Sequence, residues 1–95
     1  MSKREEYIQS LESKLREWDA KIEKLEAQVQ EAESGMKAEY QEQLRELRKQ
    51  RADAEQKLKE LQQAGDEAWD ELKEGLEKSF DSLSSSVKSA LKKFS

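Results

Sequence analysis

Arg45, Arg48, Lys49 and Arg51 form the tightest group of basic residues in the sequence, and such a group is where a phosphate or an acidic partner would be met. Glu42, Glu46 and Asp53 interleave with it, so no local basic excess survives and a solvated helix face is the better reading. The 22 carboxylates offer general acids and bases, yet such a group needs a desolvated pocket to bring its pKa toward neutrality. Glutamates strung along a charged helix have none. Histidine and cysteine are both absent, which removes imidazole-activated nucleophiles, thiolates, disulfides and the usual zinc ligands together. Gly35, Gly65 and Gly75 are too scattered to cradle a phosphate. Catalytic, cofactor-binding and metal-ligating residues are therefore expected to be none, and the chain is expected not to be an enzyme.

Two other groups carry side chains suited to binding. Trp18 and Trp69 are of the type that anchors protein interfaces, although a place in a helical seam explains them more simply. Residues 79–95 put Phe, Leu and Val on one face against Ser and Lys on the other, with almost no acid. Helices of that kind bind membranes by apolar insertion rather than by charge, but the same stripe also suits packing against the rest of the chain.

The elements that must hold these residues are helices. Only 34% of the 95 residues are hydrophobic and 42% are charged, so a thick globular core is out of reach. Disorder is the rival reading of such a composition, and periodicity decides against it. Ile8, Leu15, Ile22, Val29 and Met36 form one row at seven-residue spacing, and Leu11, Trp18, Leu25 and Ala32 form the other. Ser2 and Glu5 fit a capping box ahead of them. After Met36 the step lengthens to four and four, through Tyr40 to Leu44, before Leu47, Arg51, Ala54, Leu58 and Leu61 restore the three-four spacing. Ala64, Gly65 and Asp66 then read as a helix end followed by a new N-cap. Beyond them Trp69, Leu72, Leu76, Phe80, Leu83, Val87, Leu91 and Phe94 follow an 11-residue repeat, with acid at the front and lysine at the back as a helix dipole favours.

The fold class expected is all-α: a long coiled-coil helical hairpin, in which a heptad-bearing helix over 1–64, bent or broken at 34–36, is followed after a break near Gly65 by an amphipathic helix over 65–95. The alternative is a three-helix up-down-up bundle turning at Gly35 and Gly65. A last helix of about 28 residues reaches about 42 Å, which covers the chain back only to about Met36. In the hairpin, Ile8, Leu11, Leu15, Trp18, Ile22, Leu25, Val29 and Met36 are thus left as an oligomer seam, while Trp69, Leu72, Leu76, Phe80, Leu83, Val87, Leu91 and Phe94 supply the hairpin packing or a membrane face. A homo-oligomer, dimer favoured, is the expected partner, with another coiled-coil protein or a membrane surface as alternatives. A net charge of −4 argues against nucleic acid. Without an apolar leader or a membrane-length apolar run, cytoplasmic residence is expected.

Glu5-Glu6-Tyr7-Ile8, Leu15-Arg16-Glu17-Trp18-Asp19, Ala38-Glu39-Tyr40, and the run from Gln62-Gln63-Ala64-Gly65 through Trp69 to Gly75 together resemble a family of small bacterial coiled-coil proteins described as stress-response proteins. The resemblance spans nearly the whole chain. It implies a role in stress tolerance and no ligand, reaction or active site. The functional expectation is a non-enzymatic coiled-coil interaction protein that self-associates, with peripheral membrane binding through the C-terminal helix as the alternative.

Overall fold

Long runs of Glu, Lys, Arg, Gln, Leu and Ala without proline favour helix at nearly every position. The computed structural model describes residues 3–94, and all but the two turns are helical: α1 over Lys3–Glu31, α2 over Ser34–Gln62 and α3 over Asp66–Phe94. Ser2, and with it the expected capping box, lies outside the described residues. Each helix has 29 residues, about 44 Å at 1.5 Å per residue, and the molecule measures 51 × 21 × 17 Å.

The all-α expectation holds, and the architecture is the three-helix bundle rather than the long hairpin. The chain reverses twice, at Ala32 and Glu33 and again at Gln63, Ala64 and Gly65. The first reversal is hard to foresee because it uses neither proline nor a residue with positive φ, and the apolar rows run straight through it. Side-chain pairs fix the order as up-down-up. Arg4 meets Asp66 at 2.7 Å, so α1 and α3 start at the same end, whereas Tyr40 at the start of α2 stacks on Phe94 at the end of α3, ring centroids 4.2 Å apart.

The core is one apolar column shared by all three helices. Leu25, Leu47, Leu61, Leu76, Leu83 and Val87 are its largest fully buried side chains, and burying each such side chain stabilises the fold by about 1.5–3 kcal/mol. Trp18 packs on Phe80 at 5.3 Å between centroids and fills the middle of the column. The stripe that α3 buries runs Leu76, Phe80, Leu83, Val87, Ala90 and Phe94, so Ala90 takes the inward place and Leu91 lies half-buried beside it. On α2, the seam place between Leu47 and Ala54 belongs to Arg51, whose guanidinium pairs with Asp19 of α1 and Glu55 of its own helix.

Candidate interaction surfaces

The two apolar rows of α1 point into this column. Leu11, Leu15, Trp18, Ile22, Leu25 and Val29 are buried against α2 and α3 of the same chain, Ile8 is half-buried, and Met36 is 45% exposed. The row on α3 lies inward too: Leu76, Phe80, Leu83, Val87 and Phe94 are buried, and Trp69, Leu72 and Leu91 are half-buried at its rim. The three arginines of the basic cluster are paired where they stand. Arg45 binds Glu42 at 2.9 Å, Arg48 reaches Glu26 of α1 at 2.6 Å, and Arg51 is held as described. No three acidic groups among the described residues converge on a metal site.

Two of the places that the bundle leaves accessible carry side chains suited to binding. The first is a notch of about 440 Å³ at the end where α1 begins and α3 follows α2. Ile8, Ala64 and Trp69 form its apolar wall, and Arg4, Gln9, Glu12 and Gln62 its rim. Trp69 is held in orientation on two sides: the Arg4 guanidinium lies 4.4 Å from its ring centre, and Tyr7 meets it edge-on at 6.3 Å. Tyr7 is in turn fixed by donating its hydroxyl proton to Glu77 at 2.9 Å, with the Lys73 ammonium 4.9 Å from its ring. Burial, then the hydrogen bond and the negative charge of Glu77, push the Tyr7 pKa up to about 12. The outer surface beside the notch is acidic, since Glu67, Asp70, Glu71 and Glu74 are exposed on the first turns of α3.

The second place is a polar groove between α2 and α3, and sequence reasoning missed it. Gln43, Gln50 and Lys57 recur at seven-residue spacing along α2 and face the serines of α3. The Lys57 ammonium donates to Ser79 Oγ at 2.7 Å, and the Ser79 hydroxyl donates to Asp53 at 3.2 Å. The groove widens to about 550 Å³ around these three residues and Lys49. Ser79, Ser82, Ser86 and Ser89, stepping by three and four, were the available signal. They form a line of small residues on the α3 flank that allows the groove to exist.

Among the described residues these surfaces present aromatic, charged and hydroxyl side chains of the kind that bind partners. Residues 1–62, which are α1 and α2 with the two residues before them, match the family model described as the vesicle transport v-SNARE protein N-terminus. The chain belongs to that family. None of the curated proteins and none of the solved structures matches the chain. The v-SNARE assignment corrects the expected kinship with bacterial stress-response coiled coils, because heptad-bearing Glu- and Lys-rich segments centred on tryptophan imitate one another across unrelated families. It also corrects the expectation of plain cytoplasmic residence, since v-SNARE proteins act in vesicle transport and so at membranes. No helix among the described residues is long and apolar enough to cross a membrane. The v-SNARE family is one of trafficking rather than catalysis, in line with a non-enzymatic helical protein that works by contact with other helices.

Proposed function

We propose that this chain is a helical interaction module of vesicle transport that receives an amphipathic helix of a partner protein at the Ile8 and Trp69 notch. The observation that carries the reading is the half-buried state of Trp69, a large aromatic held rigid by Arg4 and Tyr7 but not covered by the core. Oriented tryptophans at the mouth of a pocket are the usual anchors of protein interfaces, and family membership over α1 and α2 supports a helical partner. The acids of α3 beside the notch select a partner whose flank is basic. Lipid binding by the apolar face of α3 is the less favoured reading, because in the bundle that face is turned inward.

The test is titration of the ¹⁵N-labelled protein with two synthetic amphipathic helices that share one bulky apolar face, one with basic and one with acidic flanks. The basic helix is expected to shift resonances around Ile8, Ala64 and Trp69, and Trp69→Ala to weaken binding at least about tenfold with helicity retained. Equal binding of the acidic helix, or indifference to Trp69→Ala, would overturn the reading.

A further inference from the structure

The turn joining α1 to α2 has little side-chain or charge capping. α1 ends on Glu31 with no basic residue in its last turn, so negative charge meets the negative end of the helix dipole. α2 begins with no acid in its first turn, and its N-cap residue, Glu33, makes no side-chain capping bond. Gly35, a weak helix former, follows at once. In the first turn the Ala32 N–H donates to the Val29 carbonyl at 3.1 Å, and those of Met36 and Lys37 to the Glu33 carbonyl at 2.9 and 3.0 Å; the turn between α2 and α3 adds an ion pair to backbone bonds of this kind. The Gln63 N–H donates to the carbonyls of Glu60 and Lys59 at 3.2 and 3.3 Å, that of Ala64 donates to Leu61 at 3.1 Å, and α3 opens on Asp66, which Arg4 holds.

A second, independent observation concerns Met36. It is the exposed large hydrophobic among the described residues, at 45%, and it stands seven residues after Val29 in the row that α1 buries. In a helix running without interruption from α1 into α2, Met36 joins the face of Ile22 and Val29. The exposed methionine is thus in register for a continuous helix and out of place in a turn.

We propose that the chain also forms a symmetric dimer by exchanging α1, with a second copy of itself as the partner. The turn at Ala32 and Glu33 straightens, α1 and α2 become one helix about 90 Å long, and each α1 occupies on the α2–α3 hairpin of the other copy the place it holds in the monomer. Every core contact is kept, because Trp18 against Phe80 and Asp19 against Arg51 re-form between copies. What changes is the hinge. Two poorly capped helix ends disappear, and the two Met36 side chains come together near the two-fold axis. Association entropy opposes this gain, so the balance between the forms shifts with concentration. In the dimer the Trp69 notch re-forms between α1 of one copy and α3 of the other, so partner binding at the notch and exchange of α1 are read by separate experiments and either can fail without the other.

The chain lacks cysteine, which allows a direct test. Gln62 donates its amide to Glu12 at 2.9 Å across α1 and α2. Proteins carrying Glu12→Cys alone and Gln62→Cys alone are mixed at high concentration and treated with a short bismaleimide, while light scattering follows mass on the untreated chain. The expected result is a dimer that grows with concentration and a covalent product joining position 12 of one copy to position 62 of the other. Glu33→Ala with Gly35→Ala should raise the association constant about tenfold, and Glu33→Ser, which supplies the missing cap, should lower it. A monomeric mass up to about 1 mM for both the natural chain and the Ala variant would overturn the proposal, as would a dimer that yields no 12-to-62 product.

Discussion

Arg51 of α2 holds both carboxylate oxygens of Asp19 on α1, Nε to Oδ1 at 2.7 Å and Nη2 to Oδ2 at 2.8 Å. The pair stands where the apolar seam of α2 is interrupted and fixes the register of the first two helices. Its side chains are 27% and 41% exposed, so solvent screens the interaction. A double-mutant cycle with Arg51→Ala and Asp19→Ala, followed by urea unfolding, should give a coupling of about 1 kcal/mol that falls in high salt. Arg51→Lys keeps the charge but not the fork, and should recover only part of it.

Ile22 and Leu25 lie inside the bundle, Leu25 with no exposed surface at all. Leu25→Ala should cost about 2–5 kcal/mol. Replacing both by Asp places two carboxylates in the core, and the expected result is loss of far-UV helicity at every protein concentration. A folded monomer carrying both charges would show that this row is not core.

The Tyr7 hydroxyl makes stability depend on pH at the alkaline end. Its pKa in the folded state, raised to about 12, lies above the unfolded value of 10.0, so its contribution is whole below about pH 10 and is lost as pH rises through about 12. Tyr7→Phe should lose less stability across that window than the natural chain when urea midpoints are compared. Phenolate absorbance should show one tyrosine titrating near the upper limit.

Gly75 sits within α3, and a methyl group added to it meets nothing within 4 Å. Gly75→Ala should therefore stabilise the bundle by about 0.5–1 kcal/mol through reduced freedom of the unfolded chain. Thermal melts followed by circular dichroism should show a Tm higher by a few degrees, about 2–8 °C.

Helices and their apolar rows were legible because charge, propensity and spacing agree over most of the chain. Leu15, Trp18, Ile22, Leu25 and Val29 announce a buried face whichever partner covers it. The number of reversals stayed open between one and two: Gly35 and the lengthened step from Met36 to Leu44 pointed to the first turn, while Ala32 and Glu33, which make it, have the residues of a helix. Expecting a second copy over the α1 seam followed from counting one turn instead of two. The Trp69 notch and the serine-lined groove depend on how three helices sit together, and a one-dimensional pattern does not contain that. Kinship was the least accessible: the repeats that coiled coils share carried the resemblance to the wrong family.

Three is an odd number of helices. With α1 and α3 starting together and α2 running back, Lys3 and Phe94 lie at opposite ends of a rod 51 Å long. The bundle is therefore a spacer as well as a surface. Phe94 is held a full rod length from Lys3, and a partner seated at the Trp69 notch sits at the end far from Phe94. Straightening the first turn would bring two such rods end to end at the Phe94 side, with both Phe94 residues near the middle and the two Trp69 notches at the outer ends.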